Sequence, residues 1–313
     1  MSFCTNCLYP QNRVTYLSSL IFNGNKMIQP RKQFAQHWLK SDKALNAIVQ
    51  AANCQETDKV LEIGPGTGIL TRRLLPLVKS LLAVEIDRDL CKLLAKQLGE
   101  KENFLLLQGD FLTLDLPSQL TTFTNFQKQN KVVANIPYNI TGPIIEKLLG
   151  TISHPNPEPY DTIVLLIQKE VAERLYAKPG SRTFGALSVR VQYLADCELI
   201  CTVPAAAFVP PPKVDSAVVR LSPKQIEIPA HDPKKLETLV KLGFGSKRKM
   251  LRNNLQSVIE RDNLTQLLEQ LGINPQVRAE DLGVAQWVSL VNIIAGVGSQ
   301  ESGVRSQEEE IEE

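Results

Sequence analysis

The central part of the chain alternates between short apolar runs and segments with helical periodicity. Apolar runs typical of buried strands lie at Lys59–Ile63, Leu81–Ile86, Phe104–Gln108, Lys131–Ala134 and Thr162–Gln168. Helical patterns lie between or before them, at Ala44–Ala52, Leu70–Val78, Leu90–Leu98 and Ile144–Leu149. Ser41 is a predicted N-cap, and Pro76 should end or bend its helix. Strands that alternate with helices predict an α/β fold whose parallel sheet is covered on both faces.

The pattern changes after about residue 222, where helical periodicity replaces the strand-like runs. We predict helices over Leu236–Leu242, Arg248–Ile259, Leu264–Leu271 and Ala285–Ile294. The chain should therefore divide into a disordered leader (1–29), an α/β domain (30–223), a small all-α domain (224–298) and a disordered tail (299–313).

Charge and composition narrow the classes of protein. The 313 residues carry a net charge of only +2, but the last 13 residues contribute −5, so the remaining body is mildly basic. No apolar run approaches the roughly 18 residues of a membrane span. Cys4 and Cys7 form a CxxC, but no second pair lies near them, so we expect neither a metal site nor a disulfide framework.

A glycine-rich segment lies between the first predicted strand and the following helix. Gly64, Gly66 and Gly68 would let the backbone turn sharply and approach a ligand closely. Glu85 ends the second strand, where an acid typically accepts hydrogen bonds from ribose hydroxyls. Asp110 follows the third strand, where a carboxylate can accept from an adenine amino group. Because ligands bind at this edge of a parallel sheet, the three features together predict a site for an adenosine-containing cofactor.

The most specific signal is Asn135-Ile136-Pro137-Tyr138, directly after the fourth strand. Asparagine offers a carbonyl acceptor, proline fixes the backbone, and tyrosine provides a flat stacking face. The motif predicts a site that grips an exocyclic amine and stacks its ring. Phe208 opens a rigid proline segment and could cover the other face of the same base.

These pieces together resemble the ribosomal RNA adenine dimethyltransferase family, over about residues 30–295. The matching segments are Arg31–Leu39, Glu62–Thr71, Glu85, Gly109-Asp110, Asn135–Tyr138, Phe208–Ser216 and Arg248–Leu255, the last of which is typical of the small-subunit branch. Two features depart from the family pattern. Ala35, His37 and Trp38 replace three residues of a motif that often reads Gly-Gln-Asn-Phe-Leu, and Ile136 replaces a frequent leucine.

The resemblance implies a Rossmann-like class I methyltransferase sheet, S-adenosyl-L-methionine as cofactor, and dimethylation of the N6 amines of two adjacent adenosines in 16S rRNA. The implied cofactor residues are His37, Leu39, Gly64, Gly66, Gly68, Glu85, Asp110 and Asn135. The implied catalytic residues are Asn135, Ile136, Pro137, Tyr138 and Phe208, with the Asn135 side-chain oxygen and the Ile136 carbonyl accepting from N6. Such positioning supplies much of the catalysis and needs no strong base.

RNA binding requires contacts to phosphate groups. Lys241, Lys247, Arg248, Lys249 and Arg252 place five basic groups within 12 residues and no acid among them, and Arg31 and Lys32 add a pair near the start. We predict that Arg31, Lys32, Lys247, Arg248, Lys249 and Arg252 bind RNA. The expected partner is the small ribosomal subunit, for a monomeric cytoplasmic enzyme without metal or membrane contact.

Other functions remain open at this stage. A large-subunit (23S) rRNA methyltransferase of the antibiotic-resistance type would share the amine motif, and a ribosome-assembly factor could act mainly by binding. A nicotinamide dehydrogenase is disfavoured, because Ile69 stands where its third fingerprint glycine would fall. A DNA adenine methyltransferase would not explain the helical region.

Overall fold

The computed structural model describes residues 22–23, 26–27, 29–31 and 36–295. Its centre is a seven-stranded sheet. In chain order the strands are β1 (Lys59–Ile63), β2 (Ser80–Glu85), β3 (Phe104–Gln108), β4 (Lys131–Asn135), β5 (Thr162–Gln168), β6 (Ala195–Val203) and β7 (Ser216–Pro223). Their order across the sheet is β3-β2-β1-β4-β5-β7-β6. The strands β1 to β5 are mutually parallel where they pair, and β7 runs antiparallel to both of its neighbours.

Helices cover both faces of this sheet. They are α1 (Asp42–Ala52), α2 (Thr71–Leu74), α3 (Arg88–Leu98), α4 (Leu116–Gln119), α5 (Thr141–Leu149), α6 (Lys169–Leu175), α7 (Ala186–Leu194), α8 (Pro233–Gly243), α9 (Leu251–Asn254), α10 (Arg261–Gln270) and α11 (284–295). Single 3₁₀ turns lie at Leu75–Leu77, Thr124–Phe126, Tyr138–Ile140, Ala205–Ala207 and Ala279–Asp281. The predicted α/β arrangement is confirmed.

Successive residues of each central strand face opposite sides of the sheet and build two cores. Val60, Leu81 and Val133 belong to the core beneath α1, whereas Leu61 and Leu82 belong to the core on the other face. This alternation follows from the two-residue period of a strand. Because both faces are covered, the parallel strands are apolar at nearly every position, which explains why the sequence shows continuous apolar runs there.

Local signals at the helix ends agree with the structure. The Ser41 side chain accepts from the Ala44 amide at 3.3 Å, so it caps α1 as predicted. The Asp87 side chain caps α3 by accepting from the Asp89 amide at 2.9 Å. At Pro76 the α2 helix gives way to a 3₁₀ turn, as expected of a residue without an amide hydrogen.

The helix predicted over Arg248–Ile259 is wrong in extent, since only Leu251–Asn254 is α-helical. The Asn254 side-chain amide donates to the Gly243 and Ser246 carbonyls, at 2.6 and 2.9 Å. These bonds satisfy backbone groups at the end of α8 and stabilise a turn in place of a longer helix. The sequence analysis also missed α4, α6, α7 and β7, for which it made no prediction.

The C-terminal helices share the core on one face of the sheet. Trp287 is fully buried, and its ring centroid lies 6.0 Å from that of Phe244. Leu236 and Leu268 belong to the same continuous core as Val191 of α7. The helical region is therefore packed firmly on the sheet-bearing part, while the boundary at residues 223 and 224 stays a prediction.

Within the described residues, no helix is long and apolar enough to cross a membrane. Cys54, Cys91, Cys197 and Cys201 are free thiols, and burial raises the pKa of Cys91 and Cys197 to about 12. The CxxC at Cys4 and Cys7, the predicted leader up to residue 21 and the acidic tail lie outside the described residues.

We expect Trp287→Ala to lower the free energy of unfolding by about 3–5 kcal/mol, because it removes a fully buried indole and leaves a cavity between the C-terminal helices. Denaturant titration followed by circular dichroism measures the loss. Trp287→Phe keeps most of the ring volume and should cost clearly less. Equal losses in the two variants would contradict this role of the indole.

Candidate active site

A cleft lies where the carboxyl ends of β1, β2, β3 and β4 meet. Parallel strands bring their carboxyl ends to one edge, where ligands bind in α/β folds. The lining residues come from the loops after these strands and from the segment before α1. They include His37, Leu39, Gly64, Gly66, Glu85, Asp110, Asn135, Ile136, Pro137 and Tyr138. The structure thus brings most of the predicted site residues together.

The loop after β1 depends on glycine. Gly64 and Gly66 have φ values of +66° and +59°, a conformation that other residues rarely adopt. The Gly66 amide donates to Glu85 Oε2 at 3.0 Å, and the Asp87 amide donates to Glu85 Oε1 at 2.9 Å. One carboxylate therefore fixes the loops after β1 and β2 in relation to each other.

Glu85 is buried, and burial raises the pKa of its carboxyl group, while the amide hydrogen bonds from Asp87 and Gly66 oppose the rise. Each oxygen uses one lone pair on a backbone amide and keeps a second for a ligand hydroxyl. This arrangement fits the predicted contact with a ribose.

Gly68 has a different place from the one predicted. It does not line the described part of the cleft, and its amide donates to the Pro65 carbonyl at 2.9 Å. A Cβ at this position would lie 2.6 Å from Leu94 Cδ2, and its φ is +76°. Gly68 is therefore required for the turn and for close packing on α3, and its assignment as a cofactor contact stays a prediction.

Asp110 lies at the end of the cleft beyond β3. Its Oδ1 accepts from the Leu112 amide at 2.9 Å, which holds the carboxylate in a turn beside the cleft. This position agrees with the prediction that Asp110 accepts a hydrogen bond from a purine amine. Asp110 and Asn135 lie at opposite ends of the cleft, because β2 and β1 separate β3 from β4.

The residues before α1 form one wall of the cleft. Leu39 pairs with Phe208 and Trp38 with Val209 in a two-residue antiparallel ladder. The Nδ1 atom of the His37 ring lies 2.8 Å from the Pro210 carbonyl oxygen. These contacts hold His37 and Leu39 at the cleft.

The amine motif lies at the β4 end of the cleft. The Asn135 side-chain nitrogen donates to the His37 carbonyl at 3.5 Å, so the amide oxygen is the atom left for a ligand. The Tyr138 hydroxyl is 2.6 Å from Ser216 Oγ, and burial raises the pKa of the phenol. The Tyr138 ring is stacked on His37, with centroids 5.8 Å apart and planes inclined by 17°.

Phe208 differs from the prediction. Its side chain is 1% exposed and belongs to the core beneath α1, and it does not line the described cleft. Because its backbone pairs with Leu39, Phe208 supports the wall of the cleft in this conformation. A stacking contact with a base would require its side chain to leave the core.

The basic residues predicted to bind RNA differ in whether acidic side chains pair with them. Arg31 forms ion pairs with Asp87, at 3.2 Å, and with Asp89, so it fastens the segment before α1 to the start of α3. Its predicted contact with RNA stays a prediction, and Lys32 lies outside the described residues. Lys247, Arg248 and Lys249 are exposed, and no ion pair with an acidic side chain engages them within the described ranges.

Arg252 is only partly exposed. Its Nε atom is buried and has no hydrogen-bond partner among the described residues. The residue therefore differs from its three exposed basic neighbours, which offer freer charges to a phosphate.

Several lining residues were not among the predicted site residues, and three of them carry a signal of a ligand. Trp38 stands beside Gly66, and its buried Nε1 has no hydrogen-bond partner among the described residues. Ile86 is 44% exposed although it directly follows a buried strand, which is a signal for a ligand that covers it. Glu62 lines the cleft from within β1. The sequence signal for this lining residue is an acid among the apolar residues at the end of β1.

These features fit an elongated adenosine-containing cofactor. Two buried polar atoms of the lining, Trp38 Nε1 and Glu62 Oε2, lack partners within the described structure, and the glycine loop leaves room for close approach. No group of three or more His, Cys, Asp or Glu side chains that could hold a metal occurs in the part of the chain that the structure describes.

The sheet order and the cleft together define a class I methyltransferase. A family profile described as "Ribosomal RNA adenine dimethylase" matches residues 27–296. The chain belongs to this family. It is 80% identical, over 268 residues, to the ribosomal RNA small subunit methyltransferase A of Trichormus variabilis; the match covers 86% of this chain and 99% of that one.

Two solved structures share the fold. A dimethyladenosine transferase from Plasmodium falciparum is 29% identical with a TM-score of 0.71, and the match covers 84% of this chain and 98% of that one. The 23S rRNA methyltransferase ErmE is 27% identical with a TM-score of 0.65, over 81% and 98% of the two chains. The predicted family, its small-subunit branch and the S-adenosylmethionine-dependent methyltransferase activity are confirmed.

We expect Glu85→Gln to weaken binding of S-adenosylhomocysteine by about 10- to 100-fold, since a bond to a charged group contributes about 1.5–3 kcal/mol. The amide also cannot accept from both the Gly66 and the Asp87 backbone amides. Isothermal titration calorimetry measures the affinity. The exposed Glu100→Gln change removes the same charge and should leave the affinity unaltered. An unchanged affinity in Glu85→Gln would contradict the assigned contact.

Proposed function

We propose that this enzyme dimethylates the N6 amines of two adjacent adenosines in small-subunit (16S) rRNA during ribosome biogenesis. The observation that carries the proposal is the orientation of Asn135. Its nitrogen donates to the His37 carbonyl, and this leaves the amide oxygen as an acceptor at the cleft. The relatives named for small-subunit rRNA support the choice of target.

The Asn135 oxygen and the Ile136 backbone carbonyl would accept hydrogen bonds from the two N6 hydrogens. The N6 lone pair is delocalised into the purine ring, so the amine is a poor nucleophile. Two acceptors would localise that lone pair and fix its direction, and orientation of this kind can supply several kcal/mol. The cofactor, when bound, supplies a methyl group on a positively charged sulfur. The N6 proton can leave after attack, so the chain needs no strong base here.

Ile136 and Pro137 support this geometry in different ways. The Ile136 side chain is 2% exposed and anchors the motif in the core, so its carbonyl is the group left for the amine. Pro137 has a φ of −61° and holds the extended turn that precedes Tyr138.

Tyr138 would stack on the target adenine, which must leave its helix to reach the cleft. The bond to Ser216 fixes the plane of the phenol ring. In the present structure the His37 imidazole lies over that ring, so a stacked base would have to share or displace it.

The exposed residues Lys247, Arg248 and Lys249, with Lys241 nearby, would contact RNA phosphates. Their lack of acidic partners within the described ranges leaves their charge free for this purpose. With ribosomal RNA as substrate, we place the enzyme in the cytoplasm, acting as a monomer on the small subunit.

We expect Asn135→Ala to slow methyl transfer by about 100-fold or more, in line with the loss of a single oriented group from other active sites. Single-turnover transfer of labelled methyl groups to unmethylated small subunits measures the rate. Asn139→Ala, an exposed amide four residues later, is the matched control and should transfer at the normal rate. A normal rate in Asn135→Ala would refute the proposed role.

The same assay distinguishes the substrates. Free 16S rRNA and 23S rRNA serve as parallel acceptors, and methylation confined to 23S rRNA would overturn the small-subunit assignment. An assembly factor that acts by binding alone would transfer no methyl group to any of them.

We expect the double change Arg248→Ala with Lys249→Ala to weaken binding to small-subunit RNA. The slope of the logarithm of the binding constant against the logarithm of the salt concentration should become less steep by about 1.4 to 1.8, since each lost phosphate contact removes roughly 0.7 to 0.9 from its magnitude. Filter binding at several salt concentrations provides the slopes. Lys96→Ala with Lys101→Ala removes two exposed charges from the other end of the sheet and should leave the slope alone. Equal slopes for both double variants would show that Arg248 and Lys249 do not contact RNA phosphates.

A further inference from the structure

Lys147 is an exposed lysine of α5 that spends its hydrogen bonds on a single turn of the chain. Its Nζ atom donates to the backbone carbonyls of Phe111, Leu112 and Leu114, at 2.6, 3.2 and 2.9 Å. The same ammonium lies 4.9 Å from the centroid of the Phe111 ring. Because a lysine ammonium has three donors and no acceptor, these contacts leave none for RNA. Lys147 belongs neither to the predicted cofactor contacts nor to the basic RNA surface.

The turn that Lys147 holds forms the purine end of the cleft, since Asp110 and Phe111 both line it. Within the turn, the Leu112 amide donates to Asp110 Oδ1 and the Leu114 amide donates to the Asp110 carbonyl, each at 2.9 Å. These bonds satisfy the amides of the turn, but three of its carbonyls converge on one point outside it. Converging carbonyl dipoles repel one another, so a cation between them stabilises the turn.

The place of β3 in the sheet explains why this turn needs support from outside. β3 is the edge strand and pairs with β2 alone in the seven-stranded sheet. The turn that follows it therefore has a neighbouring strand end on one side only. On the same face of the sheet, Phe111 shares a core with Ile144 and Ile145 of α5. Lys147 thus joins this turn to the helix that directly follows the amine motif.

The charge of Lys147 also acts on the acids of this region. Partial burial lowers the pKa of the Lys147 ammonium, and the nearby carboxylates of Asp110 and Asp115 oppose this fall. The ammonium is therefore partly withdrawn from water by the turn and interacts favourably with both acids. Its removal would leave the Asp110 carboxylate without this neighbouring positive charge.

We propose that Lys147 is a positioning residue for the purine end of the cofactor. Its ammonium fixes the turn after β3, and the fixed turn holds the Asp110 carboxylate and the Phe111 ring at the cleft before the cofactor binds. Lys147 does not itself line the described cleft, so it acts through these two residues. The inference rests on the purine contact predicted for Asp110 and not on the identity of the RNA.

Calorimetry on the full chain without RNA tests the binding step. Lys147→Met keeps the length of the side chain and removes all three donors. It should weaken binding of S-adenosylhomocysteine by about 10-fold, the factor expected when a hydrogen bond to a charged group is loosened. The 6-desamino analogue of S-adenosylhomocysteine lacks the purine amine, so its affinity should change much less. The ratio of the two affinities should therefore fall, which a general loss of stability would not cause.

Matched variants identify the group responsible. Lys147→Arg keeps the positive charge and several donors, so it should restore most of the affinity. Lys96→Met removes an exposed lysine of α3 and should behave like the unaltered protein. An unchanged affinity ratio in Lys147→Met would overturn the role of Lys147. Equal affinity of the unaltered protein for the two ligands would refute the contact of Asp110 with the purine amine, and this proposal with it.

Methyl transfer to unmethylated small subunits separates positioning of the cofactor from catalysis. Lys147→Met should raise KM for S-adenosylmethionine by about 10-fold and leave kcat at saturating cofactor within about twofold, because the amine motif is undisturbed. A fall in kcat with an unchanged KM would overturn the proposal. Should Lys147→Met fail to fold, Lys147→Gln gives the same comparisons, since it removes the charge and one donor. If the unaltered protein binds the cofactor as expected but transfers no methyl group to small subunits, the proposed RNA target alone is refuted.

Discussion

The Glu85 carboxylate ties together the two loops on which the cleft depends. By accepting from the Gly66 and Asp87 amides, it fixes the glycine loop after β1 against the turn that starts α3. Asp87 in turn caps α3 and binds Arg31 and the Gln36 side chain, which brings the segment before α1 to the same place. A change at this carboxylate would therefore disturb several walls of the cleft together, although one strand separates β2, which ends at Glu85, from β4, which ends at Asn135.

The opposite wall depends on backbone pairing. The two-residue ladder of Trp38–Leu39 with Phe208–Val209 joins segments that are far apart in the sequence. Through it the proline segment positions His37, whose carbonyl orients Asn135. The orientation of Asn135 is thus set by a chain of contacts that begins in the core, and the buried Phe208 supports that chain.

The sequence predicted the parts of this protein that have local causes. Strand ends place ligand groups, so Gly64, Glu85, Asp110 and Asn135 could be assigned from their positions after apolar runs. The packing of Gly68 on Leu94 and the ion pairs of Arg31 with Asp87 and Asp89 could not be predicted, because these contacts join segments that are apart in the sequence. The short α9 helix has a similar explanation, since the bonds from Asn254 to the end of α8 arise only in the folded chain.

The polar side chains that line the carboxyl edge of the sheet, those of Asp110, Glu85, Glu62 and Asn135, differ in charge and in support. Asp110 and Glu85 accept from backbone amides, and in the proposed site they would face neutral donors, a purine amine and ribose hydroxyls. Burial raises the pKa of Glu62, and the neighbouring Glu85 adds to this rise, whereas hydrogen bonds from Thr71 and the charge of Arg72 oppose it. Asn135 is uncharged, and this suits a target amine that must keep its lone pair. A carboxylate there would accept equally well, but it would attract the positive sulfur and compete with the transfer geometry.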